Sequence, residues 1–131
     1  MAELLVPISP GELIDKITIL EIKSARMTDA AKLHNVRTEL ALLNETWRAS
    51  ACSAVDIGAE WQGLRDVNGQ LWDIEDEIRD RERDGAFDQK FIELARAVYV
   101  TNDERAALKR RINTKLGSTL VEEKSYKDYR K

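Results

Sequence analysis

The chain has 131 residues, of which 43% are hydrophobic and 34% charged, and its net charge is −3. This length fits a single domain over residues 1–131 that buries about two thirds of its unfolded surface. One cysteine, Cys52, excludes an intramolecular disulfide and a cysteine-rich metal site. With 6 Gly and 2 Pro, the composition favours a charged, mostly helical protein over a β-sandwich or a disordered chain.

The first eight residues are expected to form an extended arm, after which the first helix begins. Ser9 is a favourable N-cap, Pro10 suits the first helical position, and Glu12 follows three residues after the cap. These three residues form a capping-box pattern. We therefore expect helix one to run from about Pro10 to Met27.

A helical projection at about 100° per residue predicts which side chains of helix one point towards the core. Its apolar face consists of Leu13, Ile14, Ile17 and Leu20. Glu21 falls between Ile14 and Ile17, whereas Asp15 falls among the outward-pointing charges. The projection thus predicts Glu21 as the one charged residue on the inner face.

Helix two is predicted to pack against helix one as an antiparallel hairpin, because only a short link separates them. Thr28 or Asp29 is its expected cap. Its apolar seam has alternating three-four spacing and consists of Leu33, Val36, Leu40, Leu43 and Trp47. Residues 49–56 lack periodicity and are expected to form a loop that Asp56 closes.

Helices three and four are predicted to be long and to form a second hairpin. Helix three would extend from about Ile57 to Arg83, roughly 40 Å at 1.5 Å per residue. Helix four would extend from about Asp88 to Leu116, and Gly117 suits the left-handed position that ends a helix.

A second capping-box pattern at Thr101 allows a break within helix four. Because the apolar phase continues past Thr101, we expect one continuous helix. Residues 118–131 form a C-terminal tail that is expected to pack through its tyrosines, and pairing of this tail with the arm is possible. The predicted fold is an all-α antiparallel bundle of two helical hairpins with short extended ends.

The seams of helices three and four turn polar at their centres. The polar residues at these core positions are Asn68, Glu75, Asn102, Arg105 and Lys109. Around a turn at Gly85, residues whose numbers sum to about 170 should face each other, so Asn68 should meet Asn102. Buried polar groups must be paired, hydrated or used for binding, because an unpaired buried charge is costly.

Two interpretations of this polar centre remain open. In the first, these five residues and Glu21 bind an anionic small molecule, with Arg105 as a bidentate donor and Lys109 as a point charge. Glu21 or Glu75 would then be an acid or base if the protein were an enzyme. In the second, Glu21 and Glu75 pair with Arg105 and Lys109 and only set the helix register. No catalytic residue is assigned.

An acidic face on helix three suggests a third possibility, a metal-dependent nucleotide phosphohydrolase. Asp73, Glu77 and Asp80 share this face, and carboxylates are the ligands that Mg²⁺ prefers. Such a site needs a second acidic helix, which Glu12 and Asp15 would supply only if Asp15 faced inward. We prefer a solvated face with intrahelical arginine partners, and we expect no metal site and no cofactor.

Four strings of the chain resemble an uncharacterised bacterial protein family. They are Gly11–Lys23, Leu71–Arg79, Tyr99–Lys109 and Glu122–Tyr126. The resemblance covers nearly the whole chain and implies a small bacterial protein. It carries over no catalytic or binding residue.

The function that the sequence favours is an interaction or assembly module, with a homodimer as the expected partner arrangement. The reason is the length of helices three and four, which would leave apolar seam exposed beyond helices one and two. The interleaved charges give no one-sided basic stripe, so we expect no sequence-specific nucleic-acid binding. With no signal-peptide pattern and no long apolar run, we expect no membrane insertion and a cytoplasmic protein.

Overall fold

The computed structural model describes residues 2–131 and confirms the predicted all-α class. Its four α-helices are α1 (Pro10–Arg26), α2 (Ala30–Ala49), α3 (Gly58–Arg83) and α4 (Gln89–Lys115). A 3-10 helix, Ala51–Ala54, lies in the loop predicted between α2 and α3. The arm and the tail are irregular, and residues 2–131 contain no strand, so the possible pairing between these two segments does not form.

The ends of the first hairpin follow the local capping signals. Ser9 Oγ accepts a hydrogen bond from the backbone nitrogen of Glu12 at 3.2 Å, which confirms Ser9 as the N-cap, but the Glu12 carboxylate pairs with Lys109 and does not complete the capping box. Asp29, and not Thr28, caps α2 by accepting from the backbone nitrogen of Lys32 at 2.9 Å. These side chains satisfy backbone donors that have no partner within their own helix.

The second hairpin is also closed as expected. Gly85, at the turn, and Gly117, after α4, have φ angles of 64° and 65°, which side-chain-bearing residues rarely adopt. Asp56 accepts from the backbone nitrogen of Gly58 at 2.9 Å before α3, but the N-cap of α3 is Ile57 and it has no side-chain cap, so the prediction that Asp56 caps this helix is wrong. α4 is unbroken at Thr101, which confirms a continuous last helix.

The register of α3 against α4 agrees with the predicted pairing around Gly85. Near the turn, Glu77 and Lys90 are 3.8 Å apart. Far from it, a Cβ atom on Gly63 would lie 3.0 Å from a methyl carbon of Leu108. The two helices are therefore aligned along their whole length.

The core lies where α1 meets α3 and α4. Its fully buried apolar side chains are Ile14, Ile17, Leu64 and Ile112. α1 packs against each of the other three helices. In α2 only Val36 is buried, and Trp47 packs edge-on against Trp61 of α3 with ring centroids 5.9 Å apart. The molecule is thus a three-helix core with α2 as an outer layer on α1.

The α3–α4 hairpin extends beyond the rest of the bundle. Arg26, the last residue of α1, contacts Asp73 at 2.6 Å, and α3 continues from there to Arg83, about 15 Å further. We call residues 74–98 the hairpin tip, in which Leu94 alone is buried. Among residues 2–131 there is no helix with the length and hydropathy required to span a membrane.

Candidate functional site

The polar centre of the bundle is built around Asp15 of α1, whose residue is 1% exposed. Arg105 of α4 donates from Nε to Asp15 Oδ1 at 2.9 Å and from Nη2 to Asp15 Oδ2. Asn68 of α3 donates to the same Oδ1 at 3.0 Å and lies 3.0 Å from Thr18 Oγ1. A single carboxylate therefore joins three helices.

The predicted facing of helix one is wrong at this position. Asp15 was expected to point outward, and Glu21 was expected to be the one inward charge. Glu21 instead lies at the rim, where it accepts from Trp61 Nε1 at 3.1 Å and faces Arg65 at 3.7 Å. The physical reason is that α1 contacts helices on two sides, so its buried arc is wider than its apolar stripe.

A sequence signal for this second buried stripe existed. Gly11, Asp15, Thr18 and Ile22 follow four-three-four spacing, and all four are buried. Two of them are polar and one is glycine, so a search for apolar periodicity overlooks them. Small and polar residues at helical spacing, beside a complete apolar stripe, are what identifies a helix that packs on two sides.

The electrostatics of the Asp15 and Arg105 pair favour the charged forms of both residues. Burial by itself raises the pKa of Asp15, but the hydrogen bonds from Arg105 and Asn68 outweigh it and hold the pKa below its usual range. The pKa of Arg105 is raised, chiefly by its hydrogen bond to Asp15. The centre is thus an ion pair with its hydrogen bonds satisfied within the chain.

Lys109, one turn further along α4, forms a second polar contact, which is partly buried. Its Nζ lies 2.7 Å from a carboxylate oxygen of Glu12 and 2.8 Å from one of Glu122 in the tail. Burial lowers the pKa of Lys109, but the hydrogen bonds to these two carboxylates raise it overall. The tail also packs through Tyr129, whose ring centroid is 4.9 Å from that of Tyr99, as expected, whereas Tyr126 is 85% exposed.

The close approach of α1 to α4 at Gly11 makes these contacts possible. The backbone nitrogen of Gly11 donates to Asn113 Oδ1 at 2.7 Å in a buried position. A Cβ atom on Gly11 would lie only 2.5 Å from the carbonyl oxygen of Lys109. Glycine is needed here because no larger residue fits between the two backbones.

Four of the six predicted ligand-binding residues line one open groove between α1, α3 and α4. They are Asn68, Glu75, Asn102 and Arg105, and the apolar part of the groove consists of Ile19, Leu71 and Trp72. The other two predicted residues, Glu21 and Lys109, do not line this groove. Binding of a ligand by these residues remains a prediction.

The prediction that Glu21 and Glu75 pair with Arg105 and Lys109 is wrong. Glu75 pairs with Arg79 on its own helix at 3.1 Å, and Glu21 contacts neither Arg105 nor Lys109. The carboxylates that pair with the two core cations are Asp15, Glu12 and Glu122. Because Asp15 occupies two donors of Arg105 and the groove also contains Glu75 and Asp76, an anion would meet mostly negative charge there.

Two of the three carboxylates on the acidic face of α3 pair with cations of other helices, so the predicted intrahelical arginine partners are wrong for them. Asp73 contacts Arg26 at 2.6 Å, and Glu77 contacts Lys90 at 3.8 Å. Across residues 2–131, no three or more His, Cys, Asp or Glu side chains converge as ligands for a metal ion. Asp15 does face inward, but it pairs with Arg105 and does not form a second acidic cluster opposite α3.

The fold and its centre are those of an all-helical bundle protein whose interior charges are paired within the chain. The chain belongs to a family of unknown function, DUF6165, whose model matches residues 4–129. This range includes all four helices and most of the tail. Neither a curated protein nor a solved structure matches the chain.

Proposed function

We propose that the protein is an assembly module that forms a homodimer through the hairpin tip. The observation that carries this proposal is the projection of the tip beyond α1, which leaves its outer faces without a partner helix. Phe87 is 61% exposed and Ile92 is 48% exposed. Exposed apolar side chains on one projecting element favour an interaction surface.

A second copy of the same hairpin is the partner that we propose. An isolated pair of helices buries only the seam between them, whereas two hairpins packed side by side make a four-helix bundle. The tip also carries both signs of charge, with Arg79, Arg81 and Arg83 among aspartates and glutamates. Such a surface can face itself across a two-fold axis with opposite charges adjacent.

The polar centre also supports this proposal, because its ion pair holds the α3–α4 hairpin in a fixed position on α1. Arg105 is held by Asp15, and this pair fixes α1 against the α3–α4 hairpin in one register. Buried polar contacts are retained in some helical proteins because they specify one arrangement among several similar ones. The centre thereby orients the hairpin that carries the tip.

Sedimentation equilibrium of the purified chain tests the proposal. We expect a dimer for the wild type and a shift towards monomer for Ile92→Ser. Leu42→Ser is the matched control, because Leu42 is 50% exposed but lies on α2, away from the tip. A wild-type chain that stays monomeric at every concentration, or equal dissociation of both variants, would contradict the tip as an interface.

The proposed location of this module is the bacterial cytoplasm. The resemblance of four strings to a bacterial family and the charge-rich composition support it. Immunoblotting of fractionated source cells tests the location, and recovery in an extracellular fraction would contradict it.

A further inference from the structure

The C-terminal tail places a carboxylate in a basic site on α4. Glu122 Oε2 lies 2.8 Å from Lys109 Nζ, and Arg110 Nη2 donates to the backbone oxygen of Glu122 at 3.4 Å. A cavity of about 130 Å³ adjoins this contact, and Lys124 lines it. Its other lining residues are Ala106, Ala107, Asn113 and Val121. The site therefore already binds an oxyanion, one that the chain itself supplies.

The charges around this cavity balance only while Glu122 is in place. The cations are Lys109, Arg110 and Lys124, and the remaining carboxylates are Glu12 on Lys109 and Glu123 at 3.7 Å from Arg110. If the side chain of Glu122 turns away, three positive charges face two negative ones. The vacancy then favours one anionic group, and the cavity has room for more than a single water.

The two sides of the contact differ in how firmly they are held. Lys109 is 7% exposed and is anchored on α4 and by Glu12, so its ammonium group is fixed in place. The side chain of Glu122 is 47% exposed and belongs to an irregular segment of exposed residues. Glu122 is the half-exposed partner of this contact, and Lys109 keeps its contact with Glu12 when Glu122 leaves, so an external anion can compete with Glu122.

We propose that Lys109, Arg110 and Lys124 form a binding site for the phosphate or carboxylate group of a small molecule, and that Glu122 occupies this site until such a ligand displaces it. The proposal goes beyond homodimer formation, because the cavity lies towards the C-terminal end of α4, whereas the hairpin tip includes only residues 89–98 of this helix. It also places anion binding away from the groove beside Arg105.

Isothermal titration calorimetry of the full chain with inorganic phosphate, and separately with succinate, tests the site. Glu122→Gln removes the competing charge with little change of shape, and we expect it to bind at least one of the two anions about fivefold more tightly than the wild type. Binding of phosphate alone, of succinate alone or of both identifies the oxyanion that the site accepts. Failure of Glu122→Gln to bind either anion more tightly than the wild type would overturn the proposal.

Three further variants locate the binding. Glu104→Gln changes the net charge by the same amount at an exposed position of α4, and its affinity should equal that of the wild type. Lys109→Met should abolish binding, and Arg110→Gln should weaken it in a variant that folds normally, because Arg110 is exposed. The anion binds elsewhere if Glu122→Gln and Glu104→Gln gain equally in affinity. The same holds if the double variant Glu122→Gln/Arg110→Gln binds the anion as tightly as Glu122→Gln alone.

Discussion

Two aspartate–arginine pairs hold α1 to the second hairpin, and they differ in burial and in the number of hydrogen bonds that the aspartate accepts. Asp15 is almost completely buried with Arg105, whereas Asp73 and Arg26 are both exposed. Asp15→Asn leaves the charge of Arg105 without a partner, and we expect it to lower the free energy of unfolding by about 3 kcal/mol. Urea denaturation followed by circular dichroism measures this loss.

Asp73→Asn is the control for burial. It removes a single aspartate–arginine hydrogen bond at the surface, where water replaces the lost partner, so we expect a loss of only about 0.5 kcal/mol. Equal losses in the two variants would mean that burial of Asp15 does not determine the strength of its pair.

The ionisation of Asp15 gives a prediction about pH. The pKa of Asp15 is lower in the folded chain than in the unfolded chain, where it is about 3.9. Its stabilising contribution is therefore complete above about pH 4 and is lost as the pH falls through the lower, folded pKa. A carbon NMR titration of the Asp15 carboxyl group should show a midpoint below 3.9.

The same linkage is visible in stability. Between pH 4 and pH 2 the wild type should lose more free energy of unfolding than Asp15→Asn does, because the variant has no carboxyl group to protonate at this position. An Asp15 titration midpoint above the usual range would mean that burial outweighs the donors Arg105 and Asn68.

At the scale of elements, the contact of α1 with α4 depends on Gly11. Alanine normally stabilises a helix relative to glycine by about 0.5–1 kcal/mol. At Gly11 the added carbon would meet the Lys109 carbonyl oxygen at 2.5 Å, so the backbones must separate. We expect Gly11→Ala to destabilise the protein by about 2 kcal/mol in thermal and urea unfolding.

Gly69→Ala is the matched control on α3. The nearest atom to its added carbon is a guanidinium nitrogen of Arg26 at 3.7 Å, an ordinary contact. We therefore expect no loss, or a small gain, in stability. If Gly11→Ala is tolerated as well as Gly69→Ala, then α1 and α4 do not approach each other as closely as described.

The elements that could be predicted from the sequence are those with local causes. Ser9 and Gly117 mark helix ends through their own hydrogen bonds or backbone angles, and continuity at Thr101 follows from apolar phase. The α3–α4 register follows from one turn at Gly85. These features need no knowledge of what lies across the bundle.

The residues of the polar centre could be predicted only on α3 and α4, because the sequence indicates that these two helices pack against each other. Asn68 and Arg105 were identified as polar residues in the seam between α3 and α4, and both reach the centre. Asp15, the carboxylate that they share, was missed because its burial depends on which side of α1 the second hairpin covers. Glu122 was missed because no periodicity indicates where an irregular tail lies against a helix.

At the scale of the whole molecule, the second hairpin is longer than the core that it supports. If two copies pair through their tips, unfolding is coupled to dissociation, and the thermal midpoint must rise with protein concentration. For two chains of this size we expect about 3 °C for each tenfold increase in concentration. Differential scanning calorimetry over a hundredfold range measures this dependence.

Variants separate this effect from simple changes of stability. Ile92→Ser should remove the concentration dependence, because its half-exposed side chain lies on the tip. Leu42→Ser on α2 should keep the slope even if its midpoint shifts. Since a folded monomer unfolds at a temperature independent of concentration, a flat wild-type profile would mean that the exposed face of the tip serves something other than a second copy.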